Sequence, residues 1–507
     1  MKKTLSRIGA IALSVLILTG SSLSADAKER SYTYNYDYWG DVQNSPDLYS
    51  VCKVFTSSDL NLDKPLVNPQ GLYINGNSVF ICDTGNNRII ELERTAREKL
   101  EVKRVIDSFK GNVEVTTLSG PTDIAIAESG NMYICDKGNN RILKLDSELN
   151  YLSEYGKPQD NTLDKSVPFA PNKIVIDSAE RVYCIATGIN KGLIKYEIDG
   201  SFSEFMGAPP ASYEFYQYIW KKFATQEQLA KMEAFVPTEY DNIYMDNDGF
   251  IYACTGTVAK EDLKGGKADA IRQLNLLGND ILVRNGVYYD GKFPVYGDLY
   301  MGDGGGYKGA SYFSDVTCFD NDAYVCLDKN RGRLFSYDDQ GKMIFCCGGN
   351  GNMDGYFREP VALDHMDYDL FVLDRLDCAI TMFTLTDFGS LVFEAMDLFD
   401  GGKYEESQLA WERVIDLNGN YDLAYIGIGR SYLRQKDYKT AMDYFELKYD
   451  DENYSKAYRQ YRKEWVEDHI VPIVLIILVL FLVPLTIGKI KSIKYEFATS
   501  DAFKYNN

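Results

Sequence analysis

Residues 69–90 read PQGLYINGNSVFICDTGNNRII, and residues 121–143 read PTDIAIAESGNMYICDKGNNRIL. The two stretches are copies of one unit, because each has a short alternating strand pattern, a turn with Asn, Asp or Gly, a second strand and another turn. Asp83 and Asp136 hold the same place in the two copies and are 53 residues apart. Strand–turn–strand units repeating at about fifty residues are typical of β-propeller blades.

Four further copies follow the first two along the chain. They begin at Pro171 (PNKIVIDSAERVYCIATGINKGLIKY), Asp241 (DNIYMDNDGFIYACTG), Ser314 (SDVTCFDNDAYVCLDKNRGRLFSYD) and Pro360 (PVALDHMDYDLFVLDRLDCAITMF). Each copy supplies the strands of one blade. We therefore predict a mainly β fold, a six-bladed β-propeller over residues 49–386.

The best-preserved part of the unit is the run Asp-x-Gly-Asn-Asn-Arg-Ile at Asp83–Ile89 and Asp136–Ile142. With the leading proline and the linker GGNGNMDGYFREP before the sixth copy, it resembles NHL repeats. The third and fourth copies have Ala186 and Cys254 in place of the Asp, so blades three and four are degenerate. We interpret Asp, Asn and Gly as turn-forming residues, since Asp accepts turn amides and Asn and Gly tolerate positive φ.

The sixth copy has no fourth strand, because a helical pattern follows its third strand at Ala379–Thr384. An unassigned strand pattern, Tyr49–Phe55, precedes the first copy. We expect this segment to complete blade six, which would pair the two ends of the ring and remove an open sheet edge.

Composition limits the function. The net charge is −20, which disfavours nucleic acid and anionic lipid as partners and leaves neutral ligands such as carbohydrate open. His365 and His469 are the two histidines, which excludes a site built on several imidazoles. The 39 tyrosines suit strand faces and carbohydrate contact alike.

Both ends of the chain carry apolar segments. Basic residues, an apolar run at Ile8–Leu18 and Ala25-Asp26-Ala27 predict a signal peptide over residues 1–27, with an uncleaved anchor as the alternative. Ile470–Gly488 is 19 residues without charge and predicts a transmembrane helix, with a buried core helix as the alternative. Flanking Lys and Arg are balanced, so an extracellular placement of residues 28–469 depends on the export signal.

Cysteine usage does not predict disulfides. Five of the ten cysteines lie inside apolar strand-like runs, where the thiol acts as a small buried hydrophobe: Cys82, Cys135, Cys184, Cys254 and Cys326. Export would permit bridges, but no pairing follows from the sequence.

Two insertions interrupt the blade period. Residues 211–235 contain the capping box Thr225-Gln226-Glu227-Gln228, which predicts a helix over Gln226–Phe235. Residues 258–312 contain the glycine-rich stretch GDLYMGDGGGYKGAS. Long propeller insertions lie in loops over one face, where binding usually occurs.

A helical pattern with a different period follows the propeller. Tyr404 and Tyr438 are 34 residues apart, as are Trp411 and Phe445. This is the tetratricopeptide spacing, and an amphipathic helical stalk is the alternative. Since tetratricopeptide repeats bind peptides or protein surfaces, these four aromatic residues are candidate partner-binding residues.

The channel of the predicted propeller is the candidate ligand site. The first strand of each blade begins near the axis, where the second or third residue of each copy is Gly71, Asp123, Lys173, Asn242, Asp315 or Ala362. We predict that Asp123, Lys173, Asn242 and Asp315 converge there. They could form a polar ligand pocket or a calcium site, although the cationic Lys173 weakens the latter, or a water-filled channel without ligand.

The predicted domain order is a signal peptide (1–27), an N-terminal extension (28–48), the propeller (49–386), tetratricopeptide-like helices (387–469), a transmembrane helix (470–488) and a cytoplasmic tail (489–507). This arrangement is similar to bacterial surface proteins associated with carbohydrate ABC importers. The resemblance implies a binding or scaffold protein without catalytic residues or cofactor, whose partners are transporter subunits. A metal-dependent propeller hydrolase resembling lactonases, with an axial calcium, is the alternative, and a structural spacer is the third.

Overall fold

The protein is described by a computed structural model, in which the described residues are 33–160, 163, 166–207, 240–256, 269–286, 296–299 and 309–504. Their strands form six sheets, one for each blade, so the predicted six-bladed β-propeller is confirmed. The predicted signal peptide, the predicted helix at Gln226–Phe235 and most of the glycine-rich insertion lie outside these residues.

The strands follow the repeat along the chain. An N-terminal hairpin of β1 (Tyr34–Tyr36) and β2 (Val42–Asn44) precedes β3 (Tyr49–Thr56). Blade one contains β4 (Gly71–Asn75), β5 (Ser78–Asp83), β6 (Arg88–Ala96) and β7 (Lys99–Ile106). Blade two contains β8 (Pro121–Ile126), β9 (Met132–Asp136), β10 (Arg141–Leu145) and β11 (Tyr151–Tyr155). Blade three contains β12 (Pro171–Ile176), β13 (Val182–Ala186), β14 (Leu193–Tyr196) and β15 (Phe202–Met206).

The second half of the ring is less regular. Blade four has three described strands, β16 (Asn242–Met245), β17 (Ile251–Cys254) and β18 (Ile271–Leu274). Blade five contains β19 (Phe313–Cys318), β20 (Tyr324–Asp328), β21 (Arg333–Tyr337) and β22 (Met343–Gly348). Blade six contains β23 (Pro360–Met366), β24 (Asp369–Asp374) and β25 (Ala379–Leu385).

The ring closes as the sequence predicts. Strand β3 pairs antiparallel with β25, from Ala379 opposite Thr56 to Leu385 opposite Tyr49. The innermost strands contact one another in the cyclic order β4, β8, β12, β16, β19, β23 and back to β4. Apolar side chains of one blade pack against the next, as Phe80 and Ile89 of blade one do against Ile124 of blade two.

Blade five extends beyond the expected four strands. Strand β1 pairs with the outer strand β22, where Tyr34 lies opposite Cys346, and β2 pairs with β1. The resulting sheet has six strands. The N-terminal extension is therefore part of the propeller sheet system, which the sequence did not predict.

The repeated Asp folds the turn in the same way in blades one and two. The carboxylate of Asp83 accepts hydrogen bonds from a linker amide and from Nε of Arg88, both at 2.8 Å. Asp136 accepts from a linker amide at 2.7 Å and from Nε of Arg141 at 2.9 Å. The asparagine before each arginine has φ of 56°, a left-handed conformation that asparagine tolerates. The geometry fits a structural role for the motif.

Five helices follow the propeller: α1 (Asp387–Asp400), α2 (Tyr404–Leu417), α3 (Asp422–Arg434), α4 (Tyr438–Leu447) and α5 (Asp451–Lys504). Helices α1 to α4 pack consecutively against one another, and they share a hydrophobic core with blades five and six. The hydroxyl of Tyr421 donates to the carbonyl oxygen of Ile344 at 2.8 Å, and Arg430 pairs with Asp339 at 2.8 Å. These contacts fix the helices to the propeller.

Helix α5 runs through the predicted membrane segment without a break. Among the described residues it is the helix that is long and apolar enough to cross a membrane. It begins at Asp451 and contains Pro472 and Pro484. The structure therefore agrees with a membrane anchor by length and composition, and the orientation of the chain stays a prediction.

The ten cysteines are free thiols, and eight of them are buried. Burial raises the pKa of the Cys82, Cys254 and Cys326 thiols well above the usual value, because the thiolate loses its solvation. These side chains pack as small hydrophobic groups.

Candidate functional site

The four predicted axial residues line one cavity of about 120 Å³ at the centre of the ring. Asp123 lies on β8, Lys173 on β12, Asn242 on β16 and Asp315 on β19. All four side chains are buried. The structure therefore brings them together from four consecutive innermost strands, although ligand binding by them stays a prediction.

Blade six contributes a fifth polar residue, Asp364, that the sequence analysis missed. The analysis took Ala362 as the axial position, but Ala362 is buried in the hydrophobic core between blades six and one. Asp364 lies two residues further along β23 and lines the cavity. Side chains two residues apart on a strand share a face, so this periodicity was the signal for Asp364.

The axial carboxylates connect neighbouring blades. Asp123 accepts a hydrogen bond from the backbone amide of Ile174 at 3.0 Å. Asp315 accepts from the amide of Leu363 at 2.7 Å, and Asp364 accepts from the amide of Ile74 at 2.6 Å. In each case the donor belongs to the innermost strand of the next blade, so these side chains help to hold the ring together.

The axial cavity contains one cationic side chain, Lys173, and three carboxyl groups. The carboxyl groups are those of Asp123, Asp315 and Asp364. Burial raises the pKa of Asp315 to about 7, although the ammonium of Lys173 opposes the shift. Burial raises the pKa of Asp364 to about 8, and backbone hydrogen bonds oppose that shift. Burial alone would lower the pKa of Lys173, but Asp123 and Asp315 outweigh it and raise the pKa. At neutral pH the cavity therefore holds an ammonium and at least one protonated carboxyl group.

Thr317 and His365 lie behind Asp364. The hydroxyl of Thr317 is 2.7 Å from Nδ1 of His365 and 3.4 Å from Oδ1 of Asp364. Burial lowers the pKa of His365 to about 4, so its imidazole is neutral at physiological pH. Tyr244 also lines the cavity, and its ring lies 6.2 Å from that of His365. The neutral imidazole of His365 is therefore linked to Asp364 through the hydroxyl of Thr317 and adds no charge to the cavity.

The donor set does not fit the calcium site of the alternative hypothesis. The carboxylates of Asp123, Asp315 and Asp364 already accept backbone amides, and Lys173 places a positive charge between Asp123 and Asp315. Within the described part of the chain, no group of three His, Cys, Asp or Glu residues is arranged to hold a metal ion. We therefore derive no reaction step through an axial metal.

The four candidate partner-binding aromatics are placed differently from one another. Trp411 and Phe445 are buried between helices, with 3% and 0% exposed. Tyr404 and Tyr438 are half-buried at the first residues of α2 and α4. The 34-residue spacing thus corresponds to equivalent positions on two helices. Of the four aromatic residues, Trp411 and Phe445 belong to the hydrophobic core. Tetratricopeptide identity and partner binding both stay predictions.

Comparison with known proteins gives a limited sequence relationship. No family model matches the chain. The probable peptidyl-alpha-hydroxyglycine alpha-amidating lyase of Caenorhabditis elegans is 24% identical over 136 residues, which is 24% of this chain and 38% of that protein. The chain thus matches less than half the length of this curated relative.

Several solved structures resemble the propeller. A streptogramin B lyase is 13% identical, with a TM-score of 0.38, covering 68% of this chain and all of that one. Virginiamycin B lyase from Staphylococcus aureus is 12% identical, with a TM-score of 0.37, covering 67% of this chain and all of that one. A Bacteroides thetaiotaomicron protein of unknown function is 11% identical, with a TM-score of 0.39, covering 67% of this chain and 76% of that one. Likenesses at this level carry no argument about activity.

One prediction is corrected by these comparisons. The sequence analysis expected a protein without enzymatic activity, and that expectation is wrong, because the curated relative carries the name of a lyase. The error arose because the sequence shows no nucleophile motif and few histidines. The sequence analysis did not consider buried carboxyl groups as acids or bases, because a raised pKa is not visible in a sequence.

Proposed function

We propose that the chain is a propeller lyase whose chemistry takes place at the axial cavity. The observation that carries the proposal is the set of Asp315, Asp364 and Lys173 in one buried space. Two carboxyl groups with pKa values of about 7 and about 8 provide a base and an acid at neutral pH. The name of the curated relative supports the choice of a lyase.

The substrate class we propose is an α-hydroxy amide, in which one carbon bears a hydroxyl group and an amide nitrogen. The Asp315 carboxylate removes the hydroxyl proton, the carbon–oxygen double bond forms and the carbon–nitrogen bond breaks. Asp364 gives its proton to the departing amide nitrogen, so an aldehyde and a free amide result. The step needs no oxidant, and solvent returns the proton from Asp315 to Asp364.

Lys173 is the group that stabilises charge in this scheme. Its ammonium lies among the carboxyl groups and keeps part of the Asp315 population ionised, which a base requires. The same charge favours negative charge that develops on the substrate oxygen. A cavity of about 120 Å³ has room for the reacting carbon and its substituents, while the rest of a peptide substrate would remain outside.

The proposal is tested with the full-length protein in lipid nanodiscs and a peptide ending in α-hydroxyglycine. We expect release of glyoxylate and a peptide amide. Asp364→Asn and Asp315→Asn should each lower kcat by at least about a hundredfold, the usual contribution of one acid or base. Asp354→Asn, at an exposed loop carboxylate, is the matched control and should leave the rate unchanged.

Two outcomes would overturn the lyase proposal. One is the absence of glyoxylate with folded wild-type protein. The other is turnover that survives unchanged in both axial variants, because the reaction would then take place elsewhere.

A second candidate is a membrane-bound capture or scaffold role beside a carbohydrate ABC importer. The helix α5 and the helices docked on blades five and six support it, because an anchor at α5 would hold the propeller next to a membrane. We propose with it that residues before α5 are extracellular. Crosslinking in intact cells should recover transporter subunits, and external protease should cleave the propeller. Full protection from protease would contradict the orientation.

A further inference from the structure

A second cavity lies between the propeller and the helices. It shares no lining residue with the axial cavity. Its volume is about 500 Å³. The N-terminal hairpin supplies one wall with Tyr36 and Tyr38, the segment after blade four supplies Asn285, and the junction of α4 and α5 supplies Tyr449. We call this space the hairpin cleft. It falls within the usual size of small-ligand pockets.

Tyr449 occupies a backbone position that disfavours a side chain. Its φ is 56°, in the left-handed region usually taken by glycine or asparagine after a helix. The ring stacks on Tyr38, with centroids 4.7 Å apart and planes at 22°, and lies edge-on to Trp39 at 5.7 Å. Tyr449 is nevertheless 52% exposed and Trp39 is 50% exposed. The backbone of Tyr449 caps α4, because the amides of Tyr449 and Asp450 donate to the carbonyl oxygens of Glu446 and Phe445 at 3.3 and 2.9 Å, and this cap leaves the ring exposed at the cleft.

The three cationic side chains of the cleft are paired within the protein, and one of them, Arg284, bonds Asp280 at 2.6 Å. Lys342 pairs with Asp450 at 3.2 Å, and Lys448 pairs with Asp422 at 2.6 Å. The carboxylate of Asp37 accepts two backbone amides, each at 2.9 Å. Because each cation of the cleft already has a carboxylate partner, the cleft does not suit an anion, and a neutral ligand whose hydroxyl groups donate to carboxylates fits it.

Asn285 adds a hydrogen-bond donor without a partner. Its Nδ2 is buried and meets no acceptor among the described residues, although its backbone amide donates to the carbonyl oxygen of Gln340 at 2.8 Å. A buried amide donor left unpaired is costly, so an oxygen of a ligand would stabilise it. Asn285 lines the hairpin cleft, and a rotation of its side chain would bring the buried Nδ2 to a ligand oxygen there.

We propose that the hairpin cleft binds a neutral saccharide of one or two rings. The exposed ring of Tyr449 lines the cleft and suits the apolar face of a sugar ring, while Trp39 packs edge-on against Tyr449 outside the lining. Asn285 provides a donor, and the carboxylates of Asp37 and Asp451 provide acceptors, for the hydroxyl groups at the ring edge. This site is separate from the axial cavity and does not depend on the lyase proposal.

The test is saturation-transfer NMR and calorimetry with the full-length protein in lipid nanodiscs, which avoids sugar-based detergents. The probes are glucose, N-acetylglucosamine, maltose and cellobiose, with tetramethylammonium as a cationic comparison. Tyr449→Gly removes the ring and suits the left-handed backbone, so it should fold while losing at least about tenfold in sugar affinity. Asn285→Ala should also weaken binding.

The matched control is Tyr461→Ala, an exposed tyrosine of α5 that does not line the cleft. It should bind sugar as the wild type does. The proposal is overturned if none of the four sugars binds the wild-type protein, if tetramethylammonium alone binds, or if the sugars bind Tyr449→Gly and Asn285→Ala with unchanged affinity. Because Asp315 and Asp364 remain intact in both variants, glyoxylate release should persist whatever the sugar result.

Discussion

The turn carboxylates and the axial carboxylates of this propeller are buried to the same degree but are neutralised differently. Asp83 and Asp136 each have a guanidinium partner, Arg88 and Arg141, at 2.8 and 2.9 Å. Asp364, by contrast, accepts backbone amides and lies beside the hydroxyl of Thr317. Both kinds of carboxyl group join segments of chain, but Asp123 and Asp315 share the ammonium of Lys173, and Asp364 is the axial carboxyl group without a cationic partner.

The presence or absence of an arginine partner determines how a buried carboxyl group behaves. A buried carboxylate with its own arginine has its charge matched and serves the fold. A buried carboxyl group without such a partner keeps its proton to higher pH, which raises the pKa of Asp364 to about 8. Aspartate thus occurs in two settings in this propeller, the turns and the axis. The presence of an arginine partner distinguishes the turn aspartates from Asp364.

Removing the closing strand should have the largest effect, because the axial carboxylates bond from blade to blade and require a closed ring. A chain lacking residues 1–58 has no β3, so the edge of β25 is exposed. We expect loss of cooperative thermal unfolding, measured by calorimetry. A deletion of residues 1–32, which leaves β3 in place, is the control. A melt as sharp as that of the control would contradict the role of β3 in closure.

Breaking a turn pair should have the next largest effect. Asp136→Ala removes the buried carboxylate from Nε of Arg141 and leaves only the half-exposed Glu154 at 3.0 Å, which should destabilise the protein by about 3 kcal/mol in chemical denaturation. Asp364→Asn should cost much less near neutral pH, because the group it replaces is already protonated. Equal losses in the two variants would mean that the two kinds of carboxylate do not differ.

The pH dependence of stability should also distinguish the two sets. The folded state keeps a proton on Asp364 up to about pH 8, whereas the unfolded chain loses it near pH 4. The free energy of unfolding should therefore fall as pH rises between these values. Asp364→Asn should flatten this slope by one proton, as measured by denaturation at several pH values. An unchanged slope would contradict the raised pKa.

The smallest predicted effect concerns Lys173. Lys173→Met removes the cation that opposes the rise in the pKa of Asp315. The alkaline shift in the activity profile should be of order one pH unit. Lys144→Met, at a buried lysine paired with Glu180 outside the axial cavity, is the control and should leave the profile in place. A profile that shifts equally in both variants would argue against a specific role for Lys173.

The sequence predicted the propeller well because its signal is periodic. Six strand–turn–strand copies predicted the number of blades, and the unassigned strand pattern at Tyr49–Phe55 predicted the closure. The hairpin Tyr34–Asn44 was missed because its strands have three residues each and do not resemble the repeat. The docking of the helices depends on tertiary contacts such as Tyr421 with Ile344, which no local pattern encodes.

The candidate site was predicted in part. Counting from the start of each copy located Asp123, Lys173, Asn242 and Asp315, because equivalent positions on radial strands point to the same axis. Asp364 was missed because blade six places its polar residue two positions later. The expectation of a non-enzymatic protein is contradicted by the lyase name of the curated relative, and the raised pKa of the axial carboxyl groups could not be read from the sequence, because it depends on burial and neighbours that the fold establishes.

The central claim is that Asp364 is protonated at neutral pH inside the axial cavity. Infrared difference spectroscopy of the full-length protein, titrated across the neutral range, tests it by following the carbonyl band of a protonated carboxyl group. We predict that the wild-type protein has such a band and loses it near pH 8, and that Asp364→Asn lacks that component. A wild-type spectrum in which every carboxyl group is already ionised at pH 6 would contradict the account.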